Sequence, residues 1–443
     1  MNARFRQFLS TLAETFWVVP AALVIAGICL AIGLLHIDRS GTLPQALTRS
    51  AWIYNGGGAG ARTLLGVIAS STIGVAGTVF SITIAALSLA AGQMGPRLLQ
   101  NFTRDRGVQL TLGAFLGTFS YALMVVRSVR TDEEGVFTPH LALTVGIVLA
   151  FACVGTLVYF VAHMASRINV DTVVNLVSED VRVAVRSLRT EEQQGDVPPA
   201  SFWTGMSEVP DNRRGYLNHL DQSALADWAA QHGTVIRLLV RQGDYVFPGA
   251  PIALTTGSIP EVAAAIRNAT ALGETRGSAG NAGHAVRQLV EVAVRALSPG
   301  INDPHTAMSV LDRLGAALCD IAGHHLPNGV STRNDAVVLV VPNTGYHGMV
   351  NMMFHMIRQN AAGSTAVLIR LLDVLTAAIL CESVADRRAI LAHHVELVWA
   401  DAQRNLGNKT DLDDVFARYL IFQRAVQDGA LGMINASSGN QRG

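Results

Sequence analysis

Four stretches of the chain carry no charged residue: 16–35, 63–91, 108–126 and 141–161, of 20, 29, 19 and 21 residues. Each reaches the roughly 20 residues that a helix needs to cross about 30 Å of hydrocarbon. The second holds twelve Leu, Ile, Val or Phe, together about −5 kcal/mol toward insertion before its Ser, Thr and Gly reduce that figure. Helices of a soluble bundle keep a charged face, and these have none. The pattern predicts four transmembrane helices within residues 1–162. Pro20 inside the first run, and no small-residue cleavage site behind it, make that run a span and not a secretory leader.

The remaining charge is ordinary once this region is set apart. Residues 1–162 carry 10 basic and 6 acidic residues, whereas residues 163–443 carry 23 and 27. The whole chain balances 33 against 33, which argues against binding nucleic acid through phosphate neutralisation. The only lysine is Lys409, so a phosphate-loop lysine or a Schiff-base lysine elsewhere is excluded. Cys29, Cys153, Cys319 and Cys381 show no CxxC or metal-type spacing and read as reduced thiols. No GxSxG, HExxH or strand-linked GxGxxG motif is present. We therefore expect neither an enzyme nor a resident metal or cofactor.

Orientation follows from arginine placement. With the N-terminus inside, Arg4, Arg6, Arg97, Arg104, Arg106 and Arg167 fall inside and Arg39, Arg49, Arg62, Arg127 and Arg130 outside, together with the acidic Asp132, Glu133 and Glu134. An even number of spans returns the chain to its starting side. Both termini are expected in the cytoplasm of a bacterial inner-membrane protein.

Within the second run Ser70, Gly74, Gly77, Ser81, Ala85, Ser88 and Gly92 recur in steps of four and three, forming one small, partly hydroxylic stripe along a helix. Two readings stand: close helix packing, or the lining of a pathway assembled from several chains. The third run carries Gly113 and Gly117, a helix-packing motif. No run has an Asp, Glu, Lys, Arg or His in its interior, which favours a passive channel or an anchor over an ion-coupled carrier. Between the second and third runs, Pro96 stops the helix, and Leu98, Leu99 and Phe102 lie beside Arg97, Arg104 and Arg106. This is either an elbow at the membrane interface or a solvated basic loop.

Beyond the spans the sequence predicts an α+β domain that is mostly helical. Residues 163–195 form a connecting helix with Val170, Val173, Val174, Val177, Val181 and Val185 on one face. Residues 196–257 form a small β module, in which Val240, Gly243, Val246, Gly249 and Ile252 recur every third residue and Gly243-Asp244 and Pro248-Gly249 mark tight turns. The module is similar to the hammerhead turns of biotinyl and lipoyl carriers, without their lysine. Strands at 216–220 and 235–240 flank a helix over 223–232. Residues 258–443 follow, with helices expected at 260–272, 281–297, 304–322, 345–361, 364–381, 384–405 and 411–427 and a strand at 336–341.

The segment running from Arg295-Ala296-Leu297-Ser298-Pro299-Gly300 through Ile301-Asn302-Asp303-Pro304-His305 reads as helix, break, helix, with Asp303 as the cap and Pro304 at the first helical position. Its wording, with Gly95-Pro96-Arg97-Leu98-Leu99 and the Gly243-Asp244 element, resembles the bacterial membrane-protein family known as domain of unknown function 2254. The likeness runs from about residue 16 to about residue 400. It implies an N-terminal multi-span region with a large C-terminal domain, and no assigned activity. Arg287, Glu291, Arg295, Asn302, Asp303 and His305 form either a polar pocket or capping and ion pairs between successive helices. His347, Met349, Met352, Met353, His355 and Met356 suit soft-metal chemistry, but thioethers at helical spacing read more simply as core filler. The preferred reading is a homo-oligomer in the lipid bilayer, with a passive pathway gated by the cytoplasmic domain and an unknown small-molecule or ion ligand. The alternatives are a membrane-anchored binding or signalling module and, more weakly, a membrane-bound enzyme.

Overall fold

The computed structural model describes residues 16–40, 57–94, 105–130, 137–167, 170–190, 195–276 and 282–430. The chain divides into two compact units, residues 1–173 and 174–443.

The first unit contains α1 (Val18–Ser40), α2 (Gly58–Met94), α3 (Arg106–Ser128) and α4 (His140–Arg167). All four are long and apolar enough to cross a membrane, matching the four uncharged runs. At 37 residues and 1.5 Å per residue, α2 extends about 55 Å, well beyond the hydrocarbon thickness. In the apolar stretch of α3, 61% of residues are buried against 22% in each of the other spans, so α3 is the central helix and packs on all three neighbours. Its hidden face sets Gly107, Gln109, Thr111, Gly113, Gly117 and Thr118 among the apolar Val108, Leu112, Phe115 and Val125. The outer surface of the unit carries Ile25, Ile32, Val67, Val148, Phe151 and Val158. Water would reverse that arrangement, whereas lipid favours it.

The second unit begins within α5 (Val170–Arg186). Val174, Val177, Val181 and Val185 are buried, the valine face read from the sequence. The β region has eight strands: β1 (Ser207–Pro210), β2 (Gly215–Leu220), β3 (Ile236–Leu238), β4 (Tyr245–Val246), β5 (Pro251–Thr255), β6 (Thr270–Gly273), β7 (Val330–Arg333) and β8 (Ala336–Val340). They form a five-stranded sheet in the order β1-β5-β3-β8-β7 and a three-stranded sheet in the order β4-β2-β6. Pairing is antiparallel except between β3 and β8. Helices α6 (Gln222–Gln231) and α7 (Ile259–Ala269) share one core with both sheets, built on Leu217, Leu225, Ile236, Leu238, Ile252, Val262, Ile266 and Leu339.

Both glycine turns are present. Gly243 and Gly249 have φ of 93° and 82°, and Asp244 N–H and Ala250 N–H donate to the carbonyls of Arg241 and Phe247. The strands expected around α6 are present, but they belong to different sheets, β2 pairing with β4 and β6 and β3 with β5 and β8. The helix expected over 260–272 ends at Ala269, where Thr270 turns extended and enters β6.

The rest is helical: α8 (Ala282–Ala296), α9 (Pro304–Asp320), α10 (Gly345–Asn360), α11 (Thr365–Cys381), α12 (Ala385–Asn405) and α13 (Lys409–Asp428). Each lies within two residues of its expected position. Helix α11 packs on α9, α12 and α13 and buries Val367, Leu368, Leu371, Leu372, Leu375 and Ile379.

Candidate functional site

The membrane unit closes on a glycine seam. A Cβ at Gly27 would stand 2.4 Å from the Gly117 carbonyl oxygen, one at Gly117 2.8 Å from the Leu23 carbonyl oxygen, and one at Gly113 2.5 Å from the Leu23 side chain. Backbones approach this closely only where side chains are absent. Gly113 and Gly117 therefore pack α3 on α1, as their spacing suggested.

Polar groups sit at the two ends of the bundle. At one end the Asp38 carboxylate accepts from the N–H groups of Leu141 and Ala142 at 3.2 and 3.0 Å, satisfying two donors at the start of α4 that have no partner within the helix. At the other end Asp105 caps α3, accepting from Gly107 N–H at 2.8 Å and Val108 N–H at 3.2 Å. Its carboxylate also meets His163 Nε2 at 2.8 Å, and His163 stacks on Tyr159 with ring centroids 5.3 Å apart. Sequence reading missed these clamps, although Asp before an apolar run is a capping signal. Among the elbow residues, Pro96, Arg97 and Arg104 lie outside the described residues. Arg106 opens α3 directly after its cap.

On α2 two faces separate cleanly. Ala61, Leu65, Ile68, Ala69, Thr72, Ala76, Val79 and Ala86 are buried in the bundle. Ser70, Gly74, Gly77, Ser81, Ala85 and Ser88 are all exposed on the outside. No atom lies within 4 Å of a Cβ built at Gly74 or Gly77. Among the described residues, then, the stripe packs on no other helix of its own chain. Two of its hydroxyls bond back to their own helix, Ser70 to the Val67 carbonyl at 3.2 Å and Ser81 to that of Gly77 at 2.9 Å, which satisfies those donors in lipid.

In the second unit, Arg287, Glu291 and Arg295 are half-buried one turn apart on α8, and Arg287 reaches the Met352 sulfur at 3.8 Å. The link to α9 is tightly built. Ile301 N–H and Asn302 N–H donate to the Ser298 carbonyl, Asp303 N–H donates to that of Ala296, and Asn302 adopts a φ of 49°. Asp303 accepts from the Thr306 hydroxyl at 2.6 Å and its N–H at 3.1 Å. These Thr306 bonds hold the Asp303 carboxyl below the usual carboxylate range, although burial opposes them. Asp303 is thus a helix cap, while Asn302 and His305 stand exposed beside it.

A comparison with protein families matches residues 13–377 to the family described as "predicted membrane protein", domain of unknown function 2254. The chain belongs to this family. Similar proteins are uncharacterised proteins of Mycobacterium tuberculosis, strains CDC 1551 and H37Rv, and of Mycobacterium bovis. Each is 29% identical over 428 residues, covering 93% of this chain and 80% of the relative. No solved structure matches the chain.

In this family member the Met and His residues of α10 separate by face. Met349 and Met353 are buried core residues. His347, Asn351 and His355 follow at intervals of four, and Asn351 Oδ1 accepts from Nε2 of the buried His394 on α12 at 2.9 Å. His394 Nδ1 is buried without a partner. Burial, then His393, His355, Arg358 and His347, push the His394 pKa from 6.5 to about 4. The unfolded chain therefore takes up this proton before the folded one does. The resulting stability is complete above about pH 6.5 and is lost as pH falls toward 4, about 3 kcal/mol in all. Equilibrium unfolding of wild type and His394→Gln across that window tests this, with the variant expected to lose clearly less; equal losses would remove His394 as the cause.

Proposed function

We propose that this chain is a bacterial inner-membrane protein that assembles as a homo-oligomer, in which α2 lines or closes a passive pathway. Both termini and the unit from residue 174 lie on the cytoplasmic side, where that unit gates the pathway. One observation carries the reading: α2 turns its Ser/Gly stripe outward while its other face is occupied by its own bundle. Like α1 and α4, α2 exposes large apolar side chains, among them Val67, Ile82, Ile84 and Leu89, and the Ser/Gly stripe runs beside them. Small residues on an outer face instead suit the close approach of another helix or a hydroxyl-lined conduit. The seam at Gly27, Gly113 and Gly117 fills the middle of a single bundle, so a pathway runs between copies.

Purified full-length protein in liposomes is expected to pass small ions or solutes. Ser81→Trp should reduce that flux about tenfold or more by filling the stripe. If wild-type protein passes nothing under any condition, the pathway reading fails and the membrane-anchored binding module takes its place.

A further inference from the structure

The pathway reading makes no use of the cysteines, yet two of them, 62 positions apart in the sequence, are brought together by the fold. Cys319 is the next-to-last residue of α9 and Cys381 the last residue of α11. These helices pack side by side in parallel. Arg370 Nε donates to Asp312 Oδ1 at 2.6 Å, and one turn further on a Cβ at Gly315 would meet Val374 Cγ1 at 2.4 Å. Their C-terminal ends then interlock. The Glu382 carboxylate accepts from the N–H groups of Ser383 and Val384, both at 3.0 Å. Arg387 donates to the His324 carbonyl at 2.8 Å, and its guanidinium covers the Tyr346 ring at 4.9 Å. In this junction Cys319 and Cys381 stand at the neighbouring C-terminal ends of the two packed helices.

We propose that Cys319 and Cys381 are a dithiol modification site that a peroxide converts reversibly to an intramolecular disulfide. The two thiols differ in exposure. Cys381 is exposed and Cys319 is half-buried. Burial, then Cys381 and Asp320, push the Cys319 thiol up to about 12, so Cys319 reacts more slowly with an oxidant than an ordinary thiol. Cys381 therefore meets the oxidant first. Its sulfur attacks a peroxide oxygen, the O–O bond breaks, one water leaves, and Cys381 becomes a sulfenic acid. The Cys319 sulfur then displaces the hydroxyl group, its thiol proton departs in a second water, and the S–S bond forms. Two thiols and one hydrogen peroxide give one disulfide and two waters. The bond ties the end of α9 to the end of α11, which packs on α9, α12 and α13. Both cysteines stand at helix ends, where the backbone adjusts to disulfide geometry more readily than in mid-helix.

The test uses the full chain in detergent, treated with hydrogen peroxide, alkylated under denaturing conditions without reductant, digested and analysed by mass spectrometry. We expect a peptide pair joined through Cys319 and Cys381 that dithiothreitol separates, with Cys29 and Cys153 alkylated. The oxidised chain should also unfold at a temperature several degrees higher than the reduced one. In Cys319→Ser, dimedone should trap a sulfenic acid at Cys381 and no joined pair should form. Oxidation of Cys381 straight to sulfinic acid in the wild type, a bond formed only between copies, or unreacted thiols would each overturn the proposal.

Discussion

Gly117→Val should destabilise the membrane unit by about 3 kcal/mol, near the upper end of what overpacking costs. A Cβ at this position stands 2.8 Å from the Leu23 carbonyl oxygen, and that obstacle is backbone, so no rotamer change relieves it. The two helices have to move apart. In doing so α3 loses contact with α1 along the whole Gly27, Gly113 and Gly117 seam, and in lipid the packing of the helices is itself the main attraction between them. Gly66→Val is the matched control, because nothing lies within 4 Å of a Cβ there. Thermal unfolding in detergent should show a much lower midpoint for Gly117→Val and a small change for Gly66→Val. Equal effects would mean that the seam does not hold the bundle.

The second large effect is expected at Asp401→Ala, at about 3–5 kcal/mol. Arg358 on α10 is buried and donates through Nη1 to Asp401 Oδ2 on α12, while Arg404 Nη2 donates to Asp401 Oδ1 at 2.7 Å. Burial, with Arg404 adding to it, already lowers the Arg358 pKa, so this guanidinium is costly to keep charged inside the protein. Removing the carboxylate leaves the buried Arg358 cation without its counter-charge, while the exposed Arg404 keeps its water. The double variant Arg358→Met, Asp401→Leu should recover most of the loss, since well-packed apolar residues replace a buried pair at little net cost. Chemical denaturation of the three proteins measures both numbers. A mild effect of Asp401→Ala alone would show that water reaches the pair.

What could be read in advance follows from which forces act locally. The four spans were legible because an uncharged run of membrane length leaves the chain little alternative. The seven later helices were legible from apolar periodicity alone. The facing of α2 was not, because small residues at helical spacing serve equally where helices pack and where they turn outward, and only the position of α3 decides between them. The β region shows the same limit. The turns at Gly243 and Gly249 were visible as local chemistry, whereas the pairing of β3 with β8 joins residues about a hundred positions apart. The hairpin between β7 and β8 carried an unread signal, since Asn334 and Asp335 both adopt positive φ, 52° and 61°, the requirement of a type I′ turn. Among the candidate site residues, Asp303 was correctly read as a cap, while the contact of Asp105 with His163 and the bringing together of the helix ends that carry Cys319 and Cys381 depend on tertiary packing that no spacing encodes.

A pathway between copies requires that α2 present its stripe to other copies of the chain. The most direct measurement is the number of chains per particle for the full-length protein in lipid nanodiscs, with the membrane region resolved by electron microscopy. The account predicts several chains arranged around an axis, with Ser70, Gly74, Gly77, Ser81, Ala85 and Ser88 at the contact between copies or lining the space they enclose. A single chain whose α2 stripe faces only lipid would contradict it.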